Sequence, residues 1–238
     1  MKNFIMRFLY KTIINKIFNP FLDINIKPME LKIDETDKCL VIAPHPDDES
    51  IGCGGVLSLY PKNFEVVCLT HGNENSIREA EMQKAMATSN IKFKMLDLKD
   101  KKINQGFESF KNIDISNFDI IFIPYIFDQH KDHKSVSLLL NKLIKTAKHK
   151  KNLKIAFYEV WSTINMPNYY VDISQVMEQK AAKINAHTSQ IATKEYASKI
   201  LGLNSYRGLL KNLEACECFC VLDVKNFSKI IENAFYDL

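Results

Sequence analysis

Two short runs of this chain gather groups able to bind a cation and to move protons. The first is Ala43-Pro44-His45-Pro46-Asp47-Asp48-Glu49, directly after the apolar run Cys39–Ile42. The second is Asp128-Gln129-His130-Lys131-Asp132-His133, after the apolar run Asp119–Ile126. Carboxylates and imidazoles crowded beside buried strands are costly unless a cation or a substrate compensates them. Catalytic zinc sites use three N or O ligands and leave a fourth position for water. His45, Asp48 and His133 would supply such a set across two loops. Asp47, adjacent but divergent in an extended loop, would then be a general base beside the metal. His130, three residues before a ligand, can face the same cavity. There it would stabilise an oxyanion or donate to a leaving amine, with Asp132 fixing its tautomer. The plainer alternatives are turn or cap roles for Asp47, Glu49 and Asp132. Two such clusters at two strand ends weigh against them. Glu49 is left to support the loop by hydrogen bonds.

The elements that must hold these groups follow from the apolar pattern. Strand-like runs recur at Cys39–Ala43, Phe64–Thr70, Ile91–Leu98, Asp119–Ile126, Leu153–Val160 and Cys216–Val224. Helical stretches separate them at Gly54–Tyr60, Ile77–Ser89, His133–Ala147 and Gln175–His187. This alternation predicts an α/β fold, a Rossmann-like, mostly parallel sheet with helices on both faces. Ser76-Ile77-Arg78-Glu79 reads as a capping box, and Asp132 as the cap of the next helix. Ligands of open α/β sheets bind at the carboxyl ends of strands, where both clusters sit.

Composition narrows the remaining choices. The 238 residues suit one domain, residues 38–238, preceded by an N-terminal basic segment over 1–37. Lys2, Arg7, Lys11 and Lys16 all precede the first acidic residue, Asp23, so the +4 net charge belongs to that segment. A neutral body argues against nucleic acid as a partner. Residues 2–18 alternate apolar groups and cations at helical spacing. That pattern suits either a peripheral anionic membrane surface or docking on protein. The segment is too short and too charged to span a bilayer and lacks a cleavage signal. The six cysteines form no disulfide framework, and Cys216, Cys218 and Cys220 share one strand face as core residues. A reducing, cytoplasmic location is the simplest expectation.

From about residue 38 to 222 the chain resembles the PIG-L / LmbE-like zinc-dependent deacetylases of N-acetylglucosaminyl compounds. The likeness rests on Pro44-His45-Pro46-Asp47-Asp48-Glu49 and His130-Lys131-Asp132-His133, in the family's order. Gly52-Cys53-Gly54-Gly55, Arg78 with Glu81, Lys180, Ala186 to Gln190, Arg207-Gly208 and Ala215 to Phe219 add to it. The resemblance implies His45, Asp48 and His133 as ligands of Zn²⁺ (Fe²⁺ suits the same donors), with Asp47 as base. It further implies His130 as the oxyanion or acid histidine, oriented by Asp132. Arg78 would contact the sugar or its phosphate; its ordinary alternative is a solvated first-turn residue. His187 either shapes the pocket or packs. The implied substrate is an N-acetylated amino sugar, free or carried on a nucleotide or lipid. The rival readings are a metal-dependent amidase on a sugar conjugate and an inert sugar-binding protein.

Overall fold

A computed structural model describes residues 28–72, 75–192, 195–209 and 211–235; the helix expected at 2–18 lies outside them. Cys39–Ala43 forms a strand, β2, with every residue buried. An all-apolar strand of this kind needs cover on both faces, which a parallel sheet with helices above and below provides. The flanking strands are β1 (Met29–Glu30), β3 (Phe64–Cys68), β4 (Lys92–Met95), β5 (Ile120–Pro124), β6 (Lys154–Tyr158), β7 (Tyr169–Asp172) and β8 (Cys216–Asp223). They form one sheet in the order β1-β7-β8-β6-β5-β2-β3-β4. Only β8 runs antiparallel to its neighbours, β6 and β7. Because β1 pairs with β7 and Leu31 and Ile33 are buried, the folded body begins ahead of the expected boundary at 38.

The helices are α1 (Asp48–Leu59), α2 (Asn75–Ala87), α3 (Phe107–Phe110), α4 (Lys131–Thr146), α5 (Met177–Ala186), α6 (Thr188–Ile191), α7 (Tyr196–Leu209) and α8 (Val224–Ala234). Alternate residues of β2 enter opposite cores. Leu40 and Ile42 join Val136, Leu140 and Leu143 of α4 and Phe227 and Ile231 of α8. Cys39, Val41 and Ala43 join Ile51 and Val56 of α1 and Met82 of α2. The molecule is therefore a three-layer sandwich, as the alternating pattern implied. All six cysteines are free and buried.

The structure differs from expectation in three respects. First, α1 begins at Asp48, six residues before the predicted start, because Asp48 and Glu49 suit the positive end of a helix. Its glycines, poor helix formers by themselves, are explained by what they touch. A Cβ on Gly52 would fall 2.1 Å from the Tyr158 ring, and one on Gly55 2.4 Å from Ile173. Second, α2 begins at Asn75, and α4 is capped by His130 rather than by Asp132. Third, β1, β7, α7 and α8 were not anticipated. β1 is two residues long, and β7 lies at a reversal in strand direction that local periodicity does not encode.

The order places β3 on one side of β2 and β5 on the other. The crevice outside the carboxyl ends of β2 and β5 is thus the topological switch point of the sheet. Both charged clusters emerge there. Gly52 is what lets α1 descend onto Tyr158, whose hydroxyl donates to the Ile42 carbonyl at 3.0 Å. Gly52→Ala should therefore overpack the core, costing about 1–3 kcal/mol, and lower Tm by roughly 2–12 °C in calorimetry. An unchanged melting curve would mean that Tyr158 yields freely.

Candidate active site

The chain leaves β2 through Pro44 and turns sharply at Asp47, whose φ of 133° is far from ordinary non-glycine backbone. Such a conformation costs on the order of 1–3 kcal/mol and persists only where the surroundings impose it. Here they do. The Asp47 amide donates to Glu49 Oε2 at 3.1 Å, and its carbonyl accepts from Ile51 at 2.9 Å. Glu49 in turn accepts from Ser50 Oγ at 2.6 Å and faces His187 Nε2 at 3.2 Å. Arg78 donates to the Pro46 carbonyl and lies 3.2 Å from Asp47 Oδ1. Glu49 thus supports the loop by hydrogen bonds, and His187 packs behind it. Arg78 is buried, so it is no solvated first-turn residue; its guanidinium is occupied with the loop. Glu81, one turn further along α2, accepts from Thr188 Oγ1 and from both the amide and hydroxyl of Ser189, tying α6 to the same wall.

Asp48, the first residue of α1, is the point where the two clusters meet. Its Oδ2 lies 3.2 Å from His45 Nδ1 and 3.3 Å from His133 Nε2, although one imidazole comes from the β2 loop and the other from α4. The second nitrogen of each ring faces a carboxylate. His45 Nε2 is 3.2 Å from Asp132 Oδ2 and 3.1 Å from Asp100 Oδ1. His133 Nδ1 is 3.3 Å from Asp128 Oδ1. With an ion held between them, each outer carboxylate would keep a proton on the nitrogen facing it and free the inner nitrogen to act as a ligand. This carboxylate–histidine pairing is the usual support of metal-binding imidazoles.

His130 stands beside them, with ring centroids 4.8 Å from His45 and 4.9 Å from His133. Its Nδ1 accepts from the Asp132 amide at 3.2 Å. The tautomer of His130 is thus set by the backbone of Asp132, not by its carboxylate as expected. That carboxylate is turned to His45 and to the Lys101 amide, 2.7 Å away. With Nδ1 accepting, a neutral His130 carries its proton on Nε2.

The electrostatics follow from burial and these pairings. Burial opposes charge on His45 and His133. The hydrogen bonds that His45 donates to Asp132 and Asp48 hold it up at about 10. Asp48 and Asp128 hold His133 up at about 9. Desolvation would raise Asp48, but the two imidazoles overcome it and hold the carboxyl far below its usual range. Burial, then the charge of Asp48, pushes Asp47 up to about 7 in spite of Arg78. His130 is lowered by burial and by the neighbouring imidazoles.

The donors fit a divalent cation on an observation of their own. His133 is fully buried, yet neither ring nitrogen has a hydrogen bond of acceptable geometry. A buried imidazole without such partners is expensive unless something else completes it. His45, Asp48 and His133 together offer two nitrogens and an oxygen, the donor set of a catalytic zinc site. His45, His130 and His133 also lie close enough to share an ion, as do His45, Asp100 and Asp132.

Two residues escaped the sequence reading. Asp100, in the segment after β4, reaches His45; its signal was its place just beyond the carboxyl end of a strand-like run. Asp128 was recognised in its cluster but given no role. It is fully buried, and its Oδ1 accepts from the His130 amide at 2.8 Å while facing His133. Asp128→Asn should weaken metal affinity about 10- to 100-fold in chelator competition, with the circular dichroism spectrum retained. Unchanged affinity would mean that His133 is held without this carboxylate.

The family described as PIG-L, GlcNAc-PI de-N-acetylase, matches residues 40–144, a span holding every predicted catalytic and ligand residue. A diacetylchitobiose deacetylase of Thermococcus kodakarensis is 27% identical, covering 69% of this chain and 76% of its own. The crystal structure of N,N′-diacetylchitobiose deacetylase from Pyrococcus horikoshii has a TM-score of 0.69 at 20% identity, covering 92% of this chain and 93% of that one. GalB, the 4-carboxy-2-hydroxymuconate hydratase from Pseudomonas putida, has a TM-score of 0.63 at 15% identity, covering 78% and 96%. Fold likeness by itself therefore does not select a reaction. The matched span carries both motifs in order, so residues 40–144 are similar to the PIG-L (LmbE-like) family, and the fold is shared with deacetylase structures over most of the chain.

Proposed function

We propose that this protein is a metal-dependent hydrolase that removes the acetyl group from an N-acetylated amino sugar of the GlcNAc type. One observation carries the reading: two carboxylate-backed imidazoles converge on Asp48 beside a strained and unligated Asp47. The family match and the name of the Thermococcus relative support a sugar amide as the bond attacked. His45, Asp48 and His133 would hold the ion, Zn²⁺ by preference, with Fe²⁺ suited to the same donors. Such an ion supplies Lewis acidity to the amide carbonyl and lowers the pKa of a water toward neutrality.

The chain's own groups perform the proton transfers. Asp47, raised toward neutrality by burial, accepts the proton of the attacking water. His130 donates from Nε2 to the oxygen on which negative charge develops, and needs no positive charge of its own to do so. The C–N bond then breaks, and the proton taken by Asp47 passes to the departing nitrogen. Acetate and the free amine leave. Arg78 acts through the loop, holding Asp47 in place.

Acetate release from N-acetylamino sugars tests this assignment. Asp47→Asn should lower kcat by about 10²–10⁴, and His130→Ala by about 10²–10³. Chelation should abolish turnover and Zn²⁺ should restore it. Undiminished rates in both variants would overturn the assignment. Preferential cleavage of a larger acyl group from a sugar conjugate would favour the amidase reading instead.

Among the described residues no helix is long and apolar enough to cross a membrane. The cationic amphipathic pattern of residues 2–18 supports peripheral contact with an anionic surface. Deleting those residues should abolish sedimentation with phosphatidylglycerol vesicles. If sedimentation is unchanged, the membrane role goes.

A further inference from the structure

The hydrolysis makes no use of the Cys-x-Cys-x-Cys run on β8. Alternation along a strand puts Cys216, Cys218 and Cys220 on one face. Packing then separates them. Cys216 Sγ lies 3.8 Å from Cys218 Sγ, within thiol–thiol hydrogen-bond distance. Cys220 instead joins Phe227 and Ile230 in the apolar core, where burial pushes its thiol up to about 12.

The setting of the pair is polar. The bond to Cys218, then the charge of Arg207 working against burial, holds the Cys216 thiol below its usual range; the same bond, then burial, raises Cys218. A thiol beside a second thiol and under an arginine's charge is of the reactive kind. Cys218 also lines a cavity of about 10 Å³ with Ile200, Leu203 and Asn204 of α7. That is room for one water-sized molecule. Asn204 is buried, and its Nδ2 donates to the Cys216 carbonyl at 3.2 Å. Its Oδ1 has no hydrogen-bond partner among the described residues. An orphan acceptor beside so small a cavity calls for a small guest that donates a hydrogen bond. Of the α7 residues only Asn204 and Gly208 are buried, so the helix over the cavity is weakly anchored and suited to local opening.

We propose that Cys216 and Cys218 are an oxidisable dithiol, which hydrogen peroxide closes to an intrastrand disulfide that loosens the wall of the active site. The Cys216 thiolate attacks the O–O bond, forming a sulfenic acid, and the departing hydroxide takes up the thiol proton as water. The Cys218 sulfur then attacks the sulfenic sulfur; the S–S bond forms and a second water leaves. Two thiols are oxidised by two electrons in all, and one peroxide is reduced to two waters. Residues two apart in a strand have Cα atoms about 6.5–6.8 Å apart, the long end of the disulfide range. Closing the bond therefore strains β8, and strained disulfides are readily reduced.

The strain has a route to the wall. The Cys216 carbonyl holds Asn204, and one helical turn on, Arg207 donates to the Ile164 carbonyl at 2.7 Å. Arg207 is paired with Glu159, which accepts from the Ile164 amide at 2.6 Å. Ile164 in turn lines, with Gln129 and Trp161, a cavity of about 570 Å³ beside the histidine cluster.

Trp161 is the only tryptophan, so its emission reports on that wall. The full chain, reduced and desalted, is treated with a small molar excess of hydrogen peroxide. It should lose two of its six thiols, counted after denaturation. The peptide holding residues 216–220 should become two hydrogens lighter, and the Trp161 emission should shift. Dithiothreitol should reverse all three changes. Cys216→Ser and Cys218→Ser should each form no disulfide and keep a steady emission, whereas Cys220→Ser should behave as the unsubstituted chain. Retention of all six thiols, a disulfide that includes Cys220, or a disulfide that leaves the emission unmoved would each overturn the proposal. Fragmentation of the unsubstituted chain's peptide identifies the bonded pair even where a variant fails to fold.

Discussion

Everything at this site depends on Asp48 Oδ2, a single buried oxygen that also accepts from the His45 amide at 3.0 Å. A carboxylate so deep in protein is tolerated only if positive charge surrounds it closely. Two imidazoles from distant parts of the chain provide that charge, and each must be braced from behind to stay. Asp132 and Asp100 brace His45, and Asp128 braces His133. The site is a set of nested pairs in which each negative group positions a neighbour rather than repelling it. Asp47 is the exception, a carboxylate that burial and the charge of Asp48 raise even though Arg78 lies 3.2 Å away. That balance is what suits it to take up a proton.

The scaffold supplies this order through close approach. α1 must descend far enough onto the sheet to deliver Asp48 to the mouth of the switch point. Two glycines permit it, and a buried ion pair anchors the far side. Glu217 on β8 accepts from the amides of Gly55 and Val56, at 2.7 and 2.9 Å, and pairs with Lys180 of α5 at 2.7 Å. A partly satisfied buried carboxylate would be a liability, but this one is bonded at both oxygens. The strain at Asp47 is then a local cost carried by a wall consisting of Glu49, His187, Arg78 and Glu81.

Asp128 links two regions that the chain separates by some thirty residues. One oxygen orients the histidines, and the other fixes the start of the segment that carries Trp161. The wall of the neighbouring cavity is thereby held in register with the histidines. Positioning of this kind is how remote binding energy lowers a barrier.

Much of the centre was legible in the chain itself. The donor types, their spacing in His45 to Glu49 and His130 to His133, and their places after apolar runs depend on local order alone. That order specifies both the strand ends and the chemistry offered there. Tertiary structure decided which group each donor faces. Asp132 reads as the partner of His130 because it is near in sequence, yet its carboxylate turns to His45, eighty-seven residues away. Asp100 and the bracing role of Asp128 were hidden for the same reason, and so was the burial of Arg78 against Asp47. The strained φ of Asp47 leaves no trace in a composition or a period. Local sequence encodes which atoms can bind and which segments form the central strands. Which carboxylate meets which imidazole is a long-range outcome of packing, settled only when β2, β5 and the helices between them close on one another.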